Sequence, residues 1–436
     1  MEANELTASQ AAALMAKGEL GAEELARACL ARIEAREPAV KAWVSYDPAR
    51  AIRSAREADK RRASGDVPGP LLGMPLGVKD MIDTAEYPTT DNSPGHFGNR
   101  PSHDAHSVTV MKAMGAFVLG KTDTVEFAAA GRKAATHHPM APGRTPGGSS
   151  SGSGAAVGDF QVPLAFGTQT GGSLIRPAAF NGIYALKPTH NLVSWDGARH
   201  YSPSLDTIGW YGRSPQDLTL VAEAFRLPGA DMVTAPPVKG LKVGITRTHN
   251  WDAAAPEGKE ALERAARLLA EAGAAVFDLD LAEPFARLND TQRVLMYGEG
   301  RVQFLAEFLL RRGDMHQDFI DRVENVNQIT PSLLAEHLNL AARCREAFDA
   351  LFGADVDVVI TPSAPGEAPV GLDTTGDWVM NSMWTVLHAP CLAVPGHKGP
   401  NGLPVGVQLI GPRYGDATLL GIAEAIAPVL DPDLKL

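Results

Sequence analysis

Two glycine-rich segments that each carry serine lie close together in this 436-residue chain. The first is Gly-Gly-Ser-Ser-Ser-Gly-Ser-Gly at 147–154, and the second is Thr-Gln-Thr-Gly-Gly-Ser at 168–173. Because glycine has no Cβ, its backbone can adopt φ > 0 and approach a ligand closely. Backbone N–H groups in such a segment can then donate to an oxyanion. The pattern predicts a site at which a serine hydroxyl attacks a carbonyl carbon.

A serine hydroxyl is a weak nucleophile unless a base lies within hydrogen-bonding distance. No histidine is adjacent to either glycine-rich segment, although one could approach from elsewhere in the fold. Lys79 lies in Gly-Met-Pro-Leu-Gly-Val-Lys-Asp at 73–80, among apolar neighbours. Burial disfavours the charged form of lysine and lowers its pKa from about 10.4. We therefore predict that neutral Lys79 is the general base.

With these residues the chain resembles the amidase-signature hydrolases, which use a lysine, a bridging serine on a cis peptide and a nucleophilic serine. The family's lysine segment matches at Lys79, its bridging serine follows the paired glycines at Ser149, and its nucleophile ends the T-G-G-S turn at Ser173. Further matching segments occur at 177–182, 186–189 and 401–412. The resemblance therefore extends over nearly the whole chain.

The resemblance implies a serine hydrolase mechanism without a cofactor or a metal ion. Lys79 takes a proton relayed through Ser149 while Ser173 attacks the carbonyl carbon. Ser149 returns the proton to the leaving amine, and water then hydrolyses the acyl-Ser173 enzyme. The resemblance also implies that the Gly148–Ser149 peptide bond is cis. The oxyanion is expected to bind backbone N–H groups of the turn that ends at Ser173, namely those of Thr170, Gly171 and Gly172.

The first glycine-rich segment has other interpretations. Such a composition is typical of flexible linkers, but an apolar segment follows it directly at 155–157. The phosphate-loop motif G-x-x-x-x-G-K-[ST] is absent. Glycines at 152, 154 and 158 are reminiscent of a dinucleotide fingerprint, which should follow a buried strand, whereas 137–144 indicates a loop.

The sequence departs from the commonest family pattern next to the predicted nucleophile. Arginine stands three residues after Ser173, at Arg176, where two residues is the usual spacing, and Gln169 occupies a position where aspartate is common. Asn181 replaces the usual cysteine. An arginine at this point can hold a substrate carboxylate with its planar fork or stabilise the turn in an ion pair. We expect Gln169 and Arg176 to be candidate substrate-binding residues, and the two roles of Arg176 stay open.

Composition and charge exclude several other functions. The formal net charge of −11 argues against unaided nucleic-acid binding, which needs a basic surface. Three scattered cysteines do not make a disulfide framework or a zinc site. No apolar run reaches the roughly 18 residues that a membrane span needs, and the acidic amino terminus has no apolar signal segment. We expect a cytoplasmic enzyme that acts on a small molecule and needs neither nucleic acid nor a membrane, and a homodimer is compatible with the sequence.

Strands that alternate with helices predict an α/β fold. The resemblance implies one large domain over residues 1–436, with a central twisted mixed β-sheet covered by helices on both faces. Within it we expect a signature core at about 70–215 and a variable, mostly helical substrate-side region at about 284–350.

Individual elements follow from local patterns. A capping box at Thr7 predicts a first helix that ends near Gly18, and a second helix is expected over 22–36. The segment 274–279 is expected to be a strand that follows a helix. Several large apolar side chains are expected either to line a substrate funnel or to pack in the core: Met296, Tyr297, Phe304, Phe308, Trp378 and Trp384.

The leading functional hypothesis is hydrolysis of a linear carbon–nitrogen bond in a carboxylic amide. One acyl-enzyme route would also serve carbamates, hydrazides, ureas or aryl esters. A second hypothesis is the glutaminase subunit of a tRNA-dependent amidotransferase, which would need partner chains. A third is a non-catalytic binding protein on the same fold.

Overall fold

The computed structural model describes residues 2–353 and 355–431 and builds this part of the chain around one eleven-stranded β-sheet. The order of the strands across the sheet is β1-β3-β2-β4-β6-β5-β10-β11-β9-β7-β8. The strands are β1 (Trp43–Tyr46), β2 (Pro75–Lys79), β3 (Phe117–Thr122), β4 (Leu164–Gln169), β5 (Tyr184–Lys187), β6 (Thr207–Gly212), β7 (Lys242–Ile245), β8 (Ala275–Asp278), β9 (Val358–Pro362), β10 (Cys391–Lys398) and β11 (Pro404–Ile410).

Parallel and antiparallel pairs both occur in this sheet, so it is mixed, as expected. Strand β2 runs parallel to both β3 and β4, and β7 runs parallel to both β8 and β9. The remaining pairs are antiparallel. Every residue of β2, β3, β4, β5, β6 and β9 is buried. Because successive side chains of a strand point to opposite faces, this burial means that both faces of the sheet are covered, and the predicted α/β class is confirmed.

Helices supply that cover. The described residues contain fourteen α-helices: α1 (Ala8–Lys17), α2 (Ala22–Val40), α3 (Pro48–Ala63), α4 (His106–Ala113), α5 (Ser151–Gly158), α6 (Ile175–Asn181), α7 (Pro215–Ala224), α8 (Pro256–Glu271), α9 (Leu288–Gln303), α10 (Leu305–Arg311), α11 (Gln317–Val323), α12 (Pro331–Asp349), α13 (Ser382–Val386) and α14 (Asp416–Leu430).

The first two helices can be compared with the predictions made from the capping box at Thr7 and from the pattern at 22–36. Thr7 and Gln10 form the expected capping box, and α1 ends at Gly18, which has φ +74°. Helix α2 continues four residues beyond the predicted end, with Pro38 inside it. The reason is the Glu37 carboxylate, which accepts hydrogen bonds from the N–H groups of Ala42 and Trp43 at 2.9 and 2.8 Å. These bonds hold the last turn, so the chain leaves the helix after the proline rather than before it.

Two regions away from the predicted core complete the fold. The predicted strand 274–279 is observed as β8, but it lies at the edge of the sheet and is partly exposed. The region predicted to be helical at 284–350 contains helices α9 to α12, and α9 contributes to the cavity described below. Within the described residues, no helix combines the length and the apolar character that crossing a membrane requires.

Candidate active site

Lys79 is the last residue of β2 and its side chain is buried. The amine nitrogen Nζ lies 2.8 Å from Oγ of Ser149 and 2.6 Å from Oγ1 of Thr168. Thr168 belongs to β4, which pairs with β2 in parallel. Adjacent parallel strands therefore bring the amine and the threonine hydroxyl to the same edge of the sheet.

The surroundings of Lys79 favour its neutral form. Burial lowers its pKa well below the ordinary value, and the charge of Asp206 opposes this effect only in part. No carboxylate forms an ion pair with Lys79 in the part of the chain that the structure describes. The adjacent Asp80 instead pairs with Lys121, at 3.2 Å. A neutral amine has a lone pair, so Lys79 can accept the hydroxyl proton of Ser149.

Ser149 follows a cis peptide bond after Gly148, as the resemblance implied. Its carbonyl oxygen accepts hydrogen bonds from the N–H of Val125 at 3.2 Å and from the hydroxyl of Thr124 at 3.1 Å. Gly148 is closely surrounded, because a Cβ there would lie 2.6 Å from Cγ2 of Thr375. The backbone of the first glycine-rich segment is thus fixed from both sides.

One serine connects the two glycine-rich segments. The hydroxyl of Ser150 donates to the carbonyl oxygen of Thr168 at 3.2 Å and accepts from the N–H of the same residue at 3.1 Å. The N–H of Ser150 also donates to the carbonyl oxygen of Ser173, at 3.4 Å. These bonds fix the spatial relationship between Ser149 and the turn that carries the predicted nucleophile.

Ser173 ends the turn after β4, and it is half-buried at a cavity that Ser149 also borders. Within residues 2–353 and 355–431, the N–H groups of residues 170 to 173 donate to no protein acceptor. Gly172 has no room for a side chain, because a Cβ would lie 2.5 Å from Oδ1 of Asn381. Free N–H groups beside a serine hydroxyl are what an oxyanion site requires, and the predicted donors Thr170, Gly171 and Gly172 line this cavity.

Gln169 does not line the cavity. Its side chain is buried, its amide oxygen accepts from the N–H groups of Leu174 and Ile175 at 3.0 Å each, and its amide nitrogen donates to the hydroxyl of Thr385 at 3.0 Å. The backbone after Ser173 needs these acceptors because α6 begins there. The side chain predicted as a substrate contact is therefore engaged in holding the turn.

Arg176 lies on α6 at the floor of the cavity and is buried. Its Nε donates to the carbonyl oxygen of Thr375 at 2.7 Å, and its Nη2 donates to the hydroxyl of Thr375 at 3.0 Å and to the carbonyl oxygen of Gly148. Nη1 has no protein partner among the described residues. Burial lowers the pKa of Arg176 to about 10. The guanidinium thus supports both sides of the site mainly through backbone oxygens, and among the described residues it forms no ion pair.

The cavity has a volume of about 160 Å³. Met296 and Tyr297 from α9 line it, as does Trp378, and a role of these three in a substrate funnel stays a prediction. Phe304 packs instead in an aromatic cluster with Phe127, Tyr201 and Phe319, and Trp384 is fully buried.

Other residues of the site carry no signal that a single sequence could reveal. Thr168 is one, through its bond to Lys79 and not as a lining residue. The others line the cavity and come from distant loops and helices: Lys133, Tyr201, Gln292, Arg322 and Thr375. In the described part of the chain, no histidine lines the cavity. Among the described residues, no group of three or more histidine, cysteine, aspartate or glutamate side chains is arranged to hold a metal ion.

Comparison with known proteins gives consistent results. The family model described as Amidase matches residues 24–420. The chain is 34% identical to a subunit of a glutamyl-tRNA(Gln) amidotransferase from Chloroflexus aggregans, and the match covers 99% of each chain. The structure is similar to native peptide amidase from Stenotrophomonas maltophilia, with 28% identity, a TM-score of 0.78, and coverage of 98% of this chain and 97% of that one. It is also similar to a protein solved in a study of a vestigial protein complex and the origins of an s-triazine catabolic enzyme, with 26% identity, a TM-score of 0.87, and coverage of 99% and 100%.

Proposed function

The chain belongs to the amidase family, and from this premise we propose that it hydrolyses the carbon–nitrogen bond of a small-molecule amide through an acyl intermediate on Ser173. The observation that carries the proposal is the position of Lys79, whose buried amine lies 2.8 Å from the Ser149 hydroxyl. A neutral amine at hydrogen-bonding distance from a hydroxyl is the base that a serine nucleophile requires.

The reaction begins with proton transfer. The hydroxyl proton of Ser173 passes to Oγ of Ser149 while the Ser149 proton passes to Nζ of Lys79, and Oγ of Ser173 forms a bond to the carbonyl carbon of the amide. The carbonyl oxygen becomes an oxyanion and accepts hydrogen bonds from the free N–H groups of the 170–173 turn. Removing one such donor in other hydrolases costs about 10² to 10³ in rate.

Collapse of the tetrahedral intermediate breaks the carbon–nitrogen bond. Lys79 gives back its proton through Ser149 to the leaving nitrogen, which departs as ammonia or an amine. Water then attacks the acyl-Ser173 ester with the same pair acting as base, and a carboxylic acid and free Ser173 result. The same steps would serve carbamates, hydrazides, ureas and aryl esters, because only the groups on either side of the scissile bond differ.

Arg176 contributes to this site by two routes in our proposal. Its bonds to Gly148 and Thr375 hold the backbone around Ser149. Its Nη1 is buried and has no protein partner among the described residues, and in our proposal this donor binds a carbonyl or carboxylate oxygen of the substrate.

A second candidate function is the glutaminase component of an amidotransferase. The observation in its favour is the 34% identity, over 99% of both chains, to the glutamyl-tRNA(Gln) amidotransferase protein from Chloroflexus aggregans. An enzyme of that kind would act with partner chains, whereas an independent amidase would not. The cytoplasmic location and the homodimer stay predictions from the sequence.

The test is the activity of the purified chain alone. Release of ammonia or amine is measured on a panel of amides, carbamates, hydrazides and aryl esters, with Ser173→Ala as the background control. We expect turnover of at least one amide by the wild type and none by the variant. Turnover that appears only with glutamine and added partner chains would replace our proposal with the second candidate.

A further inference from the structure

The charged side chains that line the cavity all have the same sign. They are Lys133, Arg176 and Arg322, and no aspartate or glutamate is among the lining residues that the structure describes. This does not reflect the composition of the chain, which has 51 acidic and 40 basic residues other than histidine. A cationic cavity in an acidic protein attracts a ligand of negative charge.

Arg322 is the lining cation whose guanidinium is held in a fixed plane while one of its nitrogens stays unengaged. It is half-buried on α11, its guanidinium carbon lies 3.7 Å from the centroid of the Tyr297 ring, and its Nε donates to the hydroxyl of Tyr201 at 3.3 Å. Nη1 donates to Oδ1 of Asn327 at 2.9 Å. Stacking on tyrosine fixes the plane of the guanidinium, while Nη2 makes no hydrogen bond to the described protein.

No carboxylate of the described chain forms an ion pair with Arg322, although neighbouring arginines do have such partners. Arg199 pairs with Glu307 at 2.6 Å, and Arg132 pairs with Glu126 at 2.8 Å. An acidic residue on the same helix, Asp318, instead accepts from the N–H of Gly131 at 3.0 Å. Arg322 therefore has no ion-pair partner among the described residues, and its Nη2 can donate to a carboxylate that enters the cavity.

Asp206 is not among the residues that line the cavity. It is buried beside the turn, and its carboxylate accepts from the hydroxyl of Thr170 at 2.6 Å and from the N–H groups of Tyr201 and Ser202 at 2.8 and 2.9 Å. Its oxygens are therefore engaged outside the cavity. A ligand ammonium group would find no anionic partner among the described lining residues.

We propose that the substrate is an amide that carries a carboxylate and no nearby ammonium group, and that Arg322, stacked on Tyr297, binds this carboxylate at the cavity wall. The inference rests on the proposed function and names the substrate class of the same site. Glutamine is a poor member of this class, because its α-ammonium group would enter a cationic cavity. The monoamide of a dicarboxylic acid is a good one.

Three amides with the same five-carbon chain test the inference: glutaramate carries a carboxylate, pentanamide is neutral, and glutamine adds an ammonium group to glutaramate. We expect the wild type to have a kcat/KM for glutaramate at least about tenfold above those for the other two. Arg322→Gln should remove most of this preference, and Arg322→Lys should keep part of it because the charge remains without the fork. Arg293→Gln is the matched control, since Arg293 is an exposed arginine of α9 that pairs with Asp290 one turn away, and it should keep the full preference.

A parallel readout keeps the inference separate from the proposed function. Labelling of Ser173 by a fluorophosphonate reports the activated serine, and glutarate should slow it more than pentanamide does in the wild type but not in Arg322→Gln. No preference for glutaramate, or an equal preference in Arg322→Gln, overturns the inference while labelling stands. If no amide is turned over, the labelling rates decide. The inference is then overturned if glutarate and pentanamide slow the labelling of Ser173 equally in the wild type. Absence of labelling together with absence of turnover contradicts the proposed function itself.

Discussion

Oγ1 of Thr168 lies 2.6 Å from Nζ of Lys79, and the same hydroxyl donates to the sulfur of Met81 at 3.3 Å. Since its own proton is directed to the sulfur, the threonine oxygen accepts an N–H of the lysine amine. That bond orients one N–H of the Lys79 amine toward Thr168. The lone pair of the amine is then left to accept from the hydroxyl of Ser149, which lies 2.8 Å away. Thr168 thus acts as a positioning residue for the base.

We expect Thr168→Val to lower kcat by between about ten- and a hundredfold, because valine has the same shape but cannot accept the bond, and a misdirected base loses its geometry. KM should change little, since Thr168 does not line the cavity. Thr168→Ser restores the acceptor and should recover most of the rate. Steady-state kinetics on one amide checks all three proteins, and an unchanged kcat in Thr168→Val would show that the bond is only structural.

The rate should depend on pH through Lys79. Burial lowers its pKa, so the neutral, active form should predominate at lower pH than for an exposed lysine, and kcat/KM should rise with pH to a plateau. The profile is measured between about pH 5 and 10 with a neutral amide. A rate that falls as pH rises through the neutral range would contradict a lysine base.

The same shift affects stability. Between the lowered folded pKa and the unfolded value of about 10.4, the unfolded chain binds more protons than the folded one, so the free energy of unfolding contributed by Lys79 rises with pH. Lys79→Met removes this contribution. We expect the difference in unfolding free energy between variant and wild type to favour the variant most at low pH and to shrink toward about pH 10. Denaturant unfolding at several pH values measures it, and a constant difference would contradict the assignment.

Much of the site was predictable because its residues lie in two short glycine-rich segments and one apolar strand. Lys79, Ser149 and the 170–173 turn carry their chemistry in local sequence, and the structure places Ser149 and the turn at one cavity with Lys79 against Ser149. Gln169 stays a predicted substrate contact, but its amide oxygen accepts from the backbone at the start of α6, a tertiary arrangement that leaves no local pattern.

The fold class was predictable in the same way, from the alternation of strands and helices. The residues that complete the cavity were not, because they come from regions distant in sequence: Tyr201, Gln292, Arg322 and Thr375. Gln292 and Arg322 reach the cavity from α9 and α11, while Tyr201 and Thr375 reach it from loops. In the sequence alone, these side chains cannot be distinguished from other polar residues on helices and loops.

Gly172→Ala should impair catalysis more than stability. The added Cβ would lie 2.5 Å from Oδ1 of Asn381 and 2.8 Å from Cβ of Trp378, so the turn must move and its N–H groups lose their alignment. We expect kcat to fall by about a hundredfold or more. Gly313→Ala, at a glycine whose Cβ would meet nothing within 4 Å, is the control and should retain the wild-type rate. A normal rate in Gly172→Ala would mean that the turn does not hold the oxyanion.

Ser173 is the activated nucleophile in our proposal, and intact-mass spectrometry after treatment with a fluorophosphonate identifies the residue that reacts. Wild type, Ser173→Ala and Lys79→Ala are compared under the same conditions. We expect one adduct per chain in the wild type, none in Ser173→Ala, and much slower labelling in Lys79→Ala. An adduct that persists in Ser173→Ala would contradict it, because another residue would then be the nucleophile.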